Sequence, residues 1–176
     1  MELNEVMLKR RSIRQYTDEA IPADKLKQIL EAGLIAPTSM NRKPCEFIVV
    51  QDKEMLKKLS EVKELGSAMI ANCHTAIVVI ASEQKADTWI EDSSIALSYM
   101  SLAATDLGIG NCWCQVHLRK TGEGACAEHA VRQLLSLADE YRIVGILPLG
   151  IPAVEMKPHT WDEADFMKVH GWKEKE

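Results

Sequence analysis

Four positive charges fall within six residues at Lys9-Arg10-Arg11-Ser12-Ile13-Arg14, in a 176-residue chain whose net charge is -5. Guanidinium groups grip phosphate through paired N–H donors, and hydroxyl or backbone donors complete such a site. Arg10 and Arg14, four apart with Ser12 between them, could supply that set. The run would also serve as a solvated helix end, where basic residues suit the dipole. From charge alone that second reading is the simpler one. Another polar concentration is Ala36-Pro37-Thr38-Ser39-Met40-Asn41-Arg42-Lys43-Pro44, which holds hydroxyls, an amide and two cations between prolines. Loops of this kind carry binding groups on rigid scaffolds. Taken alone, the stretch is an ordinary helix-to-strand connection.

Two Gly-x-Gly pairs invite a nucleotide reading. Gly108-Ile109-Gly110 follows a helical pattern and has Trp113 where a third glycine would sit, so it reads as a helix stop and tight turn. Gly122-Glu123-Gly124, followed by Ala127, fits a dinucleotide fingerprint formally. It lies several residues beyond the preceding strand and late in the chain, which makes the match a coincidence. Losing a dinucleotide site points away from tightly held FAD or NAD. The five cysteines, Cys45, Cys73, Cys112, Cys114 and Cys126, are odd in number, and a chain of this size needs no disulfide framework. They read as reduced thiols. Cys112-x-Cys114 with Cys126 and His129 nearby falls short of recognisable zinc spacing; small residues on two faces of a strand explain the pair better.

These residues need elements to position them. Leu3, Val6 and Met7 suit a short opening helix. Pro22 stands where a first-turn proline belongs, before Leu26, Ile29, Leu30 and Gly33 at helical spacing. Phe47 to Val50 reads as a strand, and Met55, Leu56, Leu59 and Val62 as a helix. Thr75 to Ala81 is apolar after its first residue, as a central strand should be. The longest helical pattern runs from about Asp87 to Leu107 and stops at Gly108. Its apolar stripes, Ala96-Met100-Ala103-Leu107 and Ile90-Leu97-Ala104, widened by Ile95 and Leu102, cover most of its circumference. Such a helix must be buried on most sides, which in a small domain calls for a partner subunit. Asn111 to Val116 reads as a third strand, Ala127 to Ala138 as an amphipathic helix, and Tyr141 to Leu149 as a fourth strand.

The bulk properties are those of one globular domain: 47% hydrophobic and 27% charged residues. The acidic balance argues against nucleic acid. The longest purely apolar run, Ala76 to Ala81, is far too short to span a membrane. Glu2, Asn4, Glu5, Lys9 and Arg10 leave no room for a signal-peptide core, so a cytoplasmic location is expected. From Val154 onward the chain is highly charged and aperiodic. Trp161, Phe166, Val169 and Trp172 are costly to leave in water, so this tail is expected to pack on a second subunit.

The blocks Arg10-Arg11-Ser12-Ile13-Arg14, Ala36 through Pro44, Leu107-Gly108-Ile109-Gly110 and Leu147-Pro148-Leu149-Gly150-Ile151-Pro152, in this order and at these intervals, resemble the nitroreductase family. The resemblance covers nearly the whole chain. It implies an α/β (α+β) fold with a central mixed, mainly antiparallel sheet of about four to five strands flanked by helices. Residues 1–153 would form the flavin-binding domain, and 154–176 an extension exchanged onto the partner of a homodimer. It implies FMN as cofactor and NADH or NADPH as reductant. By position, Arg10, Ser12 and Arg14 would hold the FMN phosphate and ribityl chain, with Arg11 in the same motif. Pro37, Thr38, Ser39 and Asn41 would reach the flavin of the other subunit. Trp113, Cys114 and Gln115 would face the isoalloxazine ring, and Lys157 would approach the phosphate. Three positions depart from the family pattern: Lys43, where glutamine is frequent, Cys45, where a bulky aromatic is common, and His159, where arginine is common.

The activity so implied is a ping-pong oxidoreduction, with hydride passing through flavin N5 to a small-molecule acceptor such as a nitroaromatic or a quinone. The flavin carries the chemistry, so no side-chain acid or base is nominated. The histidines at 74, 117, 129, 159 and 170 read as structural or exposed, and Tyr99 and Tyr141 as packing residues. Two alternatives stand beside this: a flavin-binding sensor without turnover, and another reaction of the same fold such as reductive dehalogenation. The second usually needs lid elements for which 176 residues leave little room.

Overall fold

The computed structural model describes residues 1–171. In chain order its elements are helices α1 (Leu3–Lys9) and α2 (Ala23–Leu34), strand β1 (Cys45–Val50), helix α3 (Lys53–Ser60), strand β2 (Thr75–Ser82), helix α4 (Trp89–Asp106), strands β3 (Gly110–Asn111) and β4 (Cys114–Gln115), helix α5 (Ala127–Leu134) and strand β5 (Tyr141–Gly150). Short 3-10 turns occupy Ser39–Asn41, Ala68–Asn72 and Glu163–Lys168.

β2 is buried at all eight positions because it has a neighbour on each edge and a helical layer on each face. The sheet order is β1-β2-β5-β3, with β4 also paired to β5, and every named pair is antiparallel. One parallel bridge, Ser12 to Asn111, supplies the mixed character. Side chains of a strand alternate between faces, and β2 shows it. Ala76, Val78 and Ile80 join the core under α3 and α5, whereas Ile77, Val79 and Ala81 join the core under α2 and α4. On β5 the parity flips part-way. Ile143 and Ile146 share one core, and Val144, Leu147 and Leu149 the other. The register with β2 shifts between Val79 and Ile80, and this bulge accounts for the flip.

The element order matches the sequence reading, with differences that have causes. The expected strand Asn111 to Val116 is broken into β3 and β4, which pair with different stretches of β5: Asn111 with Leu149, and Cys114 with Ile146. Cys112 and Cys114 do not lie on two faces; both are buried in the same core. α4 begins at Trp89 and ends at Asp106. Its Ala96, Leu97, Met100 and Ala104 are buried, while Ile90, Ile95, Tyr99, Leu102 and Ala103, and Leu107 just past its end, are not fully covered within the chain.

After Pro152 the chain runs back along its own start: Ala153 N donates to Gln15 O at 3.0 Å, and His159 N to Leu8 O at 2.7 Å. Farther out, Trp161 and Phe166 meet edge to face at 5.3 Å, yet Trp161 stays 64% exposed. Trp172 lies outside the described residues.

Candidate functional site

The basic segment forms a strap along the sheet edge. Ile13 N donates to Asn111 O at 2.9 Å, and Thr17 N to Ile151 O at 2.9 Å. Asn111 itself is buried and fully bonded. Its Oδ1 accepts from Ser101 Oγ at 2.6 Å, and its Nδ2 faces Ser101 O, Thr105 Oγ1 and Ile109 O. It ties the strap to the C-terminal half of α4. The glycines of two sequence blocks are explained by the strap's closeness. A Cβ on Gly110 would lie 2.9 Å from Ile13 Cγ2, and one on Gly150 would lie 2.7 Å from the Tyr16 ring. Tyr16 donates its hydroxyl to Ile13 O at 2.7 Å. Burial, and secondarily Cys112 and Cys73, push the Tyr16 phenol well above its ordinary range, so it stays a neutral clamp.

An extended segment sends alternate side chains to opposite sides. Lys9, Arg11 and Ile13 line a cleft of about 480 Å³ shared with Gly108–Asn111 and the start of the tail; Arg10, Ser12 and Arg14 are absent from its walls. Arg11 therefore faces a different space from its two neighbours, and its Nη1 donates to the Lys157 carbonyl. Arg10 Nη2 lies 3.4 Å from His159 Nε2. Lys157 and His159 thus come from the far end of the chain to stand beside the strap. Among the described residues, no carboxylate is ion-paired with Lys9, Arg10, Arg11, Arg14 or Lys157.

The loop from Pro37 to Asn41 sits at the other end of α4. Ser39 N donates to the buried carboxylate of Asp92 at 2.9 Å, and Thr38 Oγ1 accepts from Lys43 N at 3.0 Å. Asp92 belongs to the first turn of α4, whereas the strap reaches that helix at Ser101 and Thr105. With a rise of about 1.5 Å per residue, Asp92 and Thr105 stand roughly 20 Å apart along the helix. Within one chain the loop and the basic strap are not brought together.

At the broken strand, Trp113 is 37% exposed, and its Nε1 donates to Gln115 Oε1 at 2.8 Å. Gln115 is tethered further: its Nε2 donates to His117 O at 3.2 Å, and its own carbonyl accepts from Lys63 Nζ at 3.0 Å. Cys114 points the other way, into the core, with Sγ 3.4 Å from Gly66 O, and burial pushes its thiol up. Only its backbone can face a ligand on the Trp113 side. No group of three or more metal-ligating side chains occurs among the described residues.

Sequence reasoning missed Asp92, Asn111 and Lys63. Asn111 and Lys63 carry no local pattern that marks them. Asp92 had one signal, shared with Glu91: a carboxylate in the first turn of the longest helix, which also suits the helix dipole.

The chain matches the family model described as Nitroreductase family over residues 7–66 and 60–151. It is 38% identical over 164 residues to an Archaeoglobus fulgidus protein provisionally named NADH dehydrogenase/NAD(P)H nitroreductase, covering 91% of this chain and 86% of that one. A 34% identity over 121 residues links it to the FMN reductase [NAD(P)H] of Bacillus subtilis, covering 57% of this chain and 48% of that protein. Among solved structures, an FMN-dependent nitroreductase from Clostridium difficile R20291 superposes with a TM-score of 0.90 at 40% identity, covering 95% of this chain and 97% of that one.

Proposed function

This chain belongs to the nitroreductase family, and from that premise we propose that it is an FMN-dependent NAD(P)H oxidoreductase whose flavin site is shared between two copies. The observation that carries the reading is the group of cations at the strap. Arg10 faces His159 of the returning tail and Arg11 holds the Lys157 carbonyl, while Arg10, Arg14 and Lys157 have no ion-paired carboxylate among the described residues. Cations collected from both ends of a chain and left unpaired suit a bound anion. The donor set fits one phosphate, as FMN has, and Gly122-Glu123-Gly124 lies in a surface turn closed by Gly124 N to Thr121 O at 2.9 Å, not at the end of a strand.

A bound FMN would supply the redox chemistry, a ping-pong hydride transfer through N5 from NADH or NADPH to a nitroaromatic, quinone or similar acceptor. The protein's part is to bind and orient. Arg10, Ser12 and Arg14 hold the phosphate end, and Lys157 screens it from the tail. Trp113 and Gln115, tethered by Lys63 and His117, form the wall for the ring, and Cys114 contributes backbone.

The distance between loop and strap supports a site built from two copies. Pro37, Thr38, Ser39 and Asn41 stand roughly 20 Å along α4 from the strap of their own chain. An antiparallel crossing of two α4 helices brings one chain's loop to the other's strap. The uncovered residues Ile95, Tyr99 and Leu102, which share one face of α4, supply the apolar surface for that contact. Ser94 and Ser98 donate their hydroxyls to Ile90 O and Ser94 O, so neither leaves an unpaired donor there. Residues 154–176 would complete the interface by packing on the second copy.

The test is direct. Cofactor released by heat is chromatographed against FMN and FAD, and the intact protein is titrated anaerobically with NADH and with NADPH. Recovery of FMN and loss of the oxidised-flavin absorbance are expected. FAD, or a yellow protein that neither nucleotide bleaches, would overturn the reading.

A further inference from the structure

The loop from Thr38 to Lys43 is held in a conformation that its own residues do not favour. Met40, Asn41 and Lys43 have φ of 50°, 55° and 47°, and none is a glycine. Left-handed backbone is disfavoured for residues with a Cβ, least so for asparagine, and persists only where surroundings impose it. Beyond the loop's own backbone bonds, two side chains grip its backbone. One is local, Thr38 Oγ1 accepting from Lys43 N at 3.0 Å. The other comes from 53 positions away, where Asp92 Oδ1 accepts from Ser39 N at 2.9 Å.

Asp92 is 2% exposed and fully engaged. Its second oxygen accepts from Thr88 Oγ1 at 3.2 Å, and it sits in the first turn of α4, where the helix dipole favours a negative charge. It carries no ion pair among the described residues; Arg42, the nearby loop cation, pairs with Asp87 instead at 3.3 Å. The carboxylate is therefore given over to one backbone N–H of the loop and to one hydroxyl of its own helix. Beyond that clamp Met40 is 80% exposed and Asn41 is exposed, so the tip is free to meet another molecule.

The geometry points to Asp92 as the positioning residue of the flavin site, fixing the Thr38–Asn41 loop in the strained form that reaches the cofactor of the second copy. This rests on the functional reading above and adds to it a residue that touches neither flavin nor substrate. Because Asp92 lies on α4, the helix proposed to cross its counterpart, loop and helix move as one body. The loop's placement over the partner's flavin then follows from the helix crossing.

Full-length Asp92→Asn and Asp92→Ala are compared with the parent. Asparagine keeps an acceptor for Ser39 N and can donate to Thr88 Oγ1; alanine leaves the half-buried Ser39 N–H without its protein acceptor. Ser39 amide exchange is expected to quicken by about tenfold or more in Asp92→Ala and by about threefold at most in Asp92→Asn. At saturating FMN, the rate at which NADH reduces the bound flavin is expected to fall in the same order, with a matching change in the flavin's visible circular dichroism. Thr88→Val, which removes a single donor, should shift every readout mildly in the same direction, and it carries the test if Asp92→Ala does not fold. Unchanged Ser39 exchange overturns the inference. So does faster exchange with the flavin signals unmoved, or an asparagine variant as impaired as alanine. If the parent binds no FMN, the functional reading fails, and the exchange measurement alone still judges the clamp.

Discussion

Arg10 Nη2 lies 3.4 Å from His159 Nε2 across the gap between the strap and the returning tail. Two nitrogen groups facing each other, with no carboxylate ion-paired to the arginine among the described residues, make a pair that a bound phosphate would separate and satisfy. Arg10→Ala and Arg14→Ala are each expected to weaken FMN binding roughly ten- to hundredfold, since a charge-assisted contact contributes about 1.5–3 kcal/mol. Arg11 lines the cleft from whose walls Arg10 and Arg14 are absent, and Arg11→Ala should cost about threefold or less, through loss of its contact to the Lys157 carbonyl. Titration of apoprotein with FMN, followed by flavin fluorescence, ranks the three. Equal losses at Arg10 and Arg11 would contradict the assignment of faces.

Gly150→Ala should separate the strap from the sheet. The new methyl would lie 2.7–2.8 Å from three atoms of Tyr16, and overpacking of this kind costs about 1–3 kcal/mol. Urea unfolding should show that loss, and FMN retention should fall with it because Arg10 to Arg14 ride on the displaced segment. Tyr16→Phe, which removes the hydroxyl's bond to Ile13 O and its longer contact with Pro148 O, should cost less, about 1 kcal/mol.

Dimer and cofactor should be lost together. In sedimentation at falling concentration, flavin absorbance is expected to leave the protein boundary as the monomer forms, because each site needs a loop from the second copy. Truncation after Pro152 removes Lys157, His159 and the exposed Trp161 and Phe166, and should weaken both properties at once. A stable yellow monomer would refute the shared site.

The thiols should sort by burial. Cys126 is exposed and is expected to react first with an alkylating reagent; Cys73, Cys112 and Cys114 are buried and should wait for unfolding. Burial raises the Cys73 thiol from 9.0 to about 11. A raised folded pKa holds the proton in the native state after the unfolded chain has released it. Its contribution to stability is thus complete below pH 9 and declines as pH climbs towards about 11. Denaturant midpoints measured across that window, in the parent and in Cys73→Ala, should show a steeper alkaline loss in the parent.

Much was settled by the order of residues alone. Helices and strands followed from spacing, because the period of a hydrophobic pattern is a local property of the backbone. The apolar run from Thr75 announced a central strand, and the breadth of apolar positions around α4 announced a helix that one small domain does not cover. The recurrence of four motif blocks in a set order identified the family. What each residue does in space was decided elsewhere. The β5 bulge set which core Ile146 enters. The split between β3 and β4 turned Cys112 and Cys114 inward and left Trp113 out. The separation of the Ser39 loop from the strap depends on both being attached to one helix at different turns. The grip of Asp92 on Ser39 joins positions 53 apart that share no pattern. Such pairings depend on strand register and helix placement, set by packing of the whole chain, and no window of neighbouring residues contains them.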